Sequence, residues 1–273
     1  MSHPSAVLVT LALMLCGCAD PGRHADELAQ PAHLKRELIN TDGFVLTGFS
    51  RLSSSDLPLT LYIEGDGHAW QTRNQPAVDP TPHKALGLAL AASDPAANVA
   101  YLARPCQFTP MYETSRCNAA YWTDKRYAED VVAAMNQAVT HYASAGQPVN
   151  LVGYSGGGAL AVLIAARRHD VASIRTVAGN LDHAEVNRLH GVSPMPESLN
   201  AIDVARQVAS IPQIHFSGAD DRVVPLSIAQ KFVRASGTRC AAIYLVSGMA
   251  HESDWTQRWP ELLNRIPICA KGT

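Results

Sequence analysis

The chain has 273 residues, of which 47% are hydrophobic and 17% charged, and a formal net charge of −2. That composition supports a large buried core and argues against an intrinsically disordered chain. The length suits one α/β domain, and the absence of any Lys/Arg block argues against a nucleic-acid partner.

Residues 6–15 form an apolar run that is too short to span a bilayer but suits the h-region of a signal peptide. The sequence Leu15-Cys16-Gly17-Cys18 that follows resembles the lipobox of bacterial lipoproteins. The resemblance implies a signal peptide over 1–18 and a lipid on Cys18, which becomes the new N-terminus. Ala19 stands where an inner-membrane retention signal would place Asp, so the implied location is the periplasmic side of the bacterial outer membrane. Residues 19–33, polar and Pro-containing, are expected to form a tether.

Six cysteines are present. With Cys16 in the signal and Cys18 assigned to lipid, Cys106, Cys117, Cys240 and Cys269 remain, and three pairings are open. The expected bridges are Cys106–Cys117, a short local closure, and Cys240–Cys269, which would tie the last strand to the last helix. Export to an oxidising compartment would allow both. No Cys-x-x-Cys or His-x-x-x-His spacing suggests a metal site.

Along the remaining chain, 34–39 and 44–52 flank Asn40-Thr41-Asp42-Gly43 and read as a β-hairpin. The run 57–63 is almost continuously apolar, as a central strand covered on both faces requires. It ends in Glu64-Gly65-Asp66-Gly67-His68. A helix is predicted over 82–92, a strand over 98–102, an irregular stretch over 103–122 and a long helix over 124–143. Strands at 148–153, 174–178, 213–217 and 241–246 alternate with helices at 156–168, 226–236 and 254–265. Residues 180–210, containing Pro194 and Pro196, form a longer excursion with room for a small lid but not for a cap domain. The alternation implies a three-layer α/β/α sandwich with a mostly parallel central sheet, in one domain over 34–273.

Gly153-Tyr154-Ser155-Gly156-Gly157 matches Gly-x-Ser-x-Gly, with a predicted strand directly before it and a small-residue helix directly after it. A Ser at such a turn exposes its Oγ above the sheet, beside a helix N-terminus that favours negative charge. A hydroxyl is a weak nucleophile that needs a base, and the base needs an orienting acid. Gly218-Ala219-Asp220-Asp221-Arg222-Val223-Val224-Pro225 and Val246-Ser247-Gly248-Met249-Ala250-His251 each follow a predicted strand. Together the three loops resemble those of the α/β-hydrolase superfamily, whose chain order is Ser, acid, His.

The resemblance implies Ser155 as nucleophile, Asp221 as acid and His251 as general base. Asp220 and Asp182 remain rival acids. It also implies an oxyanion hole made by the N–H of Gly156 and one from the 64–68 loop, by position Asp66, with Gly67 as the alternative. Here Glu64-Gly65 replaces the His-Gly common in the family. Asp66 is alternatively expected to organise its loop by bonding to backbone N–H groups, and His68 to shape the site or contact substrate. Tyr112, Tyr121, Trp122 and Met195 are candidates to line a substrate pocket. The implied activity is hydrolysis of a small-molecule or lipid ester, thioester or amide without cofactor or metal. An acyltransferase with the same triad, or a non-catalytic envelope protein on this scaffold, remains open.

Overall fold

The computed structural model describes residues 20–270. The segment 1–19, with the proposed signal peptide and Cys18, lies outside the described residues.

Eight strands form one sheet: β1 (Lys35–Asn40), β2 (Val45–Arg51), β3 (Leu59–Ile63), β4 (Val99–Leu102), β5 (Val149–Tyr154), β6 (Val171–Val177), β7 (Gln213–Gly218) and β8 (Ala241–Val246). Their spatial order is β1-β2-β4-β3-β5-β6-β7-β8. β2 is antiparallel to both of its neighbours, and every other pairing is parallel. The expected sandwich is therefore present, with one antiparallel edge from the opening hairpin. The apolar strand β3 sits between β4 and β5 and is buried throughout.

The helices are α1 (Pro21–Ala29), α2 (Leu86–Ala92), α3 (Glu129–Tyr142), α4 (Gly156–Ala165), α5 (His183–His190), α6 (Leu226–Ser236) and α7 (Trp259–Leu263). Strand side chains alternate between faces. Leu59, Leu61 and Ile63 of β3 pack in the layer that contains α3, α4 and α6. Tyr62 of the same strand turns to the other face, against residues of α1, α2 and α7. α4 is buried along its whole length, in keeping with its apolar circumference.

Several boundaries differ from expectation for identifiable reasons. Of the expected tether 19–33, the described residues 20–33 are folded against the domain. Asp20 caps α1 by accepting from the Gly22 N–H (2.9 Å), Pro21 occupies the first helical turn, and Ala25 and Ala29 are buried. Arg36 of β1 clamps the helix, donating to Asp26 Oδ1 (2.9 Å) and to the Gly22 carbonyl (3.0 Å). At nine residues, mostly polar, with its inner face made chiefly of alanines, α1 is too short and too weakly apolar to stand out in sequence.

α2 begins at Leu86 because Ala85 has a left-handed φ of 45°. The helix predicted over 254–265 is interrupted before Pro260, which has no N–H to donate to the preceding turn and sits instead in the first turn of a new helix. A 3-10 turn (Trp255–Gln257) and the short α7 take its place. Residues 180–210 do not form a lid: Met195, Ala201, Ala205 and Val208 are buried in the α4 layer. Both expected bridges, Cys106–Cys117 and Cys240–Cys269, are formed.

Candidate active site

Ser155 sits between β5 and α4 with φ 50° and ψ −119°. That conformation costs a non-glycine residue about 1–3 kcal/mol and persists only where neighbours enforce it. Here the Ser155 N–H donates to the Val177 carbonyl (2.9 Å), and its own carbonyl accepts from Gly158 N (3.0 Å) and Asn180 N (2.9 Å). The turn also needs glycine on both sides. A Cβ on Gly153 would lie 2.2 Å from the Gly157 carbonyl oxygen, and one on Gly157 would lie 2.2 Å from that of Ile63.

The three residues named from sequence converge, although Ser155 and His251 are 96 positions apart. Ser155 Oγ lies 2.9 Å from His251 Nε2, and His251 Nδ1 lies 2.9 Å from Asp221 Oδ2. The other carboxylate oxygen of Asp221 accepts from the N–H groups of Val223 (2.9 Å) and Val224 (2.8 Å). Those bonds fix the carboxylate, which in turn orients the imidazole with Nδ1–H donating to Asp221 and Nε2 free to accept from the serine hydroxyl. The His251 loop is itself anchored, because Tyr154 Oη and Trp255 Nε1 both donate to the His251 carbonyl (3.1 Å each).

The rival acids lie elsewhere. Asp220 is exposed. Asp182 caps α5 by accepting from the Glu185 N–H (3.2 Å) and pairs with Lys231 (2.7 Å). Burial alone would raise its pKa, but Lys231 and the hydrogen bonds from Asn200 and Glu185 hold it below the ordinary carboxylate value.

In the loop after β3, Gly65 N–H donates to Glu64 Oε1 (2.9 Å) and His68 N–H to the Pro80 carbonyl (2.9 Å). Among the described residues, the N–H groups of Asp66 and Gly67 have no acceptor. These are the two donors left open by sequence. Gly156 opens α4, and the first N–H of a helix has no intrahelical acceptor.

The Asp66 carboxylate lies against Gly156 and is held in a part-buried ion cluster. It accepts from Arg104 Nη1 (2.8 Å), Arg126 Nη1 (2.6 Å) and Tyr127 Oη (3.1 Å). Burial would raise its pKa, but Arg126 and then Arg104 overcome that and hold the carboxyl far below its ordinary range. Sequence reading missed Arg104, Arg126 and Tyr127. Their only local signal is that Arg104 follows the C-terminal end of a parallel strand, where open α/β sheets place ligands.

Glu64 is also buried. Its carboxyl accepts from Gly65 N, Gly87 N (3.0 Å), Leu88 N (3.3 Å) and Tyr101 Oη (2.9 Å). Burial outweighs these bonds and raises its pKa. It thereby fixes the start of α2 to the end of β3.

A cavity of about 550 Å³ opens over Ser155 and His251. Its lining includes His68, Trp70, His83, Lys84, Leu86 and Arg126. None of the four aromatic and Met candidates reaches it. Tyr112 is exposed, Met195 is buried in the α4 layer, and Tyr121 and Trp122 face a separate small crevice.

No protein-family model matches the chain, and no curated protein sequence does. Solved structures match it over most of its length. The α/β hydrolase GrgF from Penicillium sp. sh18 superposes with a TM-score of 0.60 at 15% identity, covering 85% of this chain and 95% of that one. An esterase from Pyrococcus furiosus gives 0.59 at 10% identity, covering 87% and 94%. Est1E from Butyrivibrio proteoclasticus gives 0.57 at 15% identity, covering 84% and 98%. The chain has the α/β-hydrolase fold, without a cap domain among the described residues.

Proposed function

We propose that this protein is a serine hydrolase that cleaves an ester, thioester or amide through an acyl-enzyme intermediate. The observation that carries the reading is the unbroken hydrogen-bond chain from Ser155 Oγ through His251 to Asp221. Ser155 Oγ attacks the substrate carbonyl as His251 Nε2 takes its proton. Asp221 stabilises the imidazolium. The tetrahedral oxyanion sits between the N–H of Gly156 and that of Asp66 or Gly67. Donors of this kind are each worth roughly 10²–10³ in rate. His251 then protonates the leaving group, and a water activated by the same imidazole releases the acyl group.

The test is covalent labelling by a fluorophosphonate probe. The wild type should be labelled and the Ser155→Ala variant should not. Equal labelling of the two would overturn the reading.

We further infer that the domain works outside the cytoplasm, anchored through a lipid on Cys18. Two disulfides within one domain support an oxidising location. Mass spectrometry of the mature N-terminus should find an acylated Cys18. An intact Met1 would sink this part.

A further inference from the structure

Arg126 lines the cavity beside Ser155, yet its guanidinium is fixed from behind. Nε donates to the Thr123 carbonyl (2.6 Å) and Nη1 to Asp66 Oδ2 (2.6 Å). Nη2 has no acceptor among the described residues. The side chain is only 16% exposed, so it is a preorganised group and not a mobile surface arginine.

The charges in this cluster do not cancel. Two guanidiniums, Arg104 and Arg126, face the single carboxylate of Asp66, and two positive charges less one negative leave a net charge of +1. Tyr127 contributes only a neutral hydroxyl. Arg104 is more deeply buried, with 5% of its side chain exposed, and its Nη2 is taken by the Arg126 carbonyl. The other carboxylates around the cavity are engaged. Glu252 pairs with Lys84 (3.5 Å), and Glu64 is enclosed by its own donors. Asp124 also attracts Arg126, but it is only half-buried and solvent weakens it. An unmatched positive charge at a part-buried site is unfavourable until an anion meets it.

The geometry points to Arg126 Nη2 as a carboxylate subsite of the Ser155 cavity, selecting substrates that carry one negative charge near the scissile carbonyl. The excess is one positive charge with one unused guanidinium nitrogen, which suits a monoanionic carboxylate better than a dianionic phosphate. The Asp66 contact places this charge next to the first residue of α4. A Cβ on Gly156 would lie 2.0 Å from Asp66 Oδ1, so the subsite and the oxyanion donors share one wall. The inference rests on the hydrolase reading for its chemistry, though not for its binding.

The experiment compares the p-nitrophenyl monoester of glutaric acid with its methyl-capped neutral counterpart. The wild type should favour the free acid by about tenfold or more in kcat/KM, the effect of one charge-assisted hydrogen bond. Arg126→Gln should bring the ratio close to one, and Arg126→Lys should keep part of it. No preference in the wild type, or the same preference in Arg126→Gln, would overturn the subsite. A binding arm separates this from failure of the hydrolase reading. In Ser155→Ala, NMR titration should show monomethyl glutarate binding more tightly than dimethyl glutarate. That difference should disappear in the Ser155→Ala/Arg126→Gln double variant. If neither ester is cleaved but the binding difference depends on Arg126, the subsite stands and the hydrolase reading falls. If the binding difference is absent, the subsite falls.

Discussion

Asp66 and Gly156 meet at a distance that leaves no room for a side chain on the glycine: a Cβ there would lie 2.0 Å from Asp66 Oδ1. The carboxylate cannot withdraw, because Arg104, Arg126 and Tyr127 hold it in place. Gly156→Ala should therefore push α4 away from the loop after β3, separating the two oxyanion donors. The expected outcome is a stability loss of about 1–3 kcal/mol in urea unfolding, the usual cost of overpacking. Ester hydrolysis should fall by roughly 10²–10³, the value of one oxyanion donor. Wild-type activity in Gly156→Ala would contradict this account of the oxyanion wall.

The acid can be assigned by comparing two variants. Asp221→Asn should leave the fold intact and lower kcat by roughly 10⁴, because the amide presents the wrong partner to His251 Nδ1. Asp182→Ala removes the cap of α5 and the Lys231 partner. It should cost about 1 kcal/mol of stability and leave kcat/KM within a few-fold. The reverse pattern would make Asp182 the acid.

Acid sensitivity should trace in part to His215, buried in β7 with Nδ1 3.0 Å from Thr176 Oγ1. Burial pushes its pKa from the ordinary 6.5 down to about 3. Between these values the unfolded chain binds a proton that the native protein does not. Native stability is thus complete above pH 6.5 and falls as pH drops toward 3, by about 1.4 kcal/mol per pH unit from this group at most. His215→Asn should flatten the dependence of unfolding free energy on pH between 6 and 4, whatever its effect at pH 7. An unchanged slope would remove His215 from the account.

The Cys106–Cys117 bridge closes a loop of 11-residue separation that carries Thr109 and Thr114 toward the core. In the chain-entropy view its loss costs about 3 kcal/mol. The Cys106→Ser/Cys117→Ser variant should unfold at correspondingly lower denaturant. Because neither cysteine lines the cavity, its kcat/KM for small esters in buffer should change little.

Much of the proposed triad was legible because chemistry of this kind uses short segments at strand ends. Gly153, Ser155 and Gly157 announce a turn in which strand and helix nearly touch, and the loops holding Asp221 and His251 follow strands in a fixed order. The two bridges were legible from cysteine number and local spacing. The Asp66 cluster was not, since its partners come from a strand end at Arg104 and a turn at Arg126 and Tyr127, with no pattern linking them. Burial of Glu64 was equally hidden. A carboxylate before Gly65 reads as solvated, and three of its four donors, from Gly87, Leu88 and Tyr101, come from distant parts of the chain. The tether failed for a different reason. α1 is short and mostly polar, and its inner face of Ala25, Leu28 and Ala29 is too small to signal a packed helix without the Asp20 cap and the Arg36 contacts that hold it.

The packing of α1 also sets a leash length. Two residues separate Cys18 from Pro21, and three backbone steps span about 10 Å at full extension. A lipid on Cys18 would therefore leave this domain almost no working radius. It would ride on the bilayer surface with α1 as its membrane-proximal shoulder, unable to reach targets tens of ångströms away. His24 and Leu28 of α1 border a groove whose lining shares Lys84, Leu86 and Glu252 with the Ser155 cavity. A lipid on Cys18 would thus hold this groove, and the Ser155 cavity beside it, close to the anchoring surface.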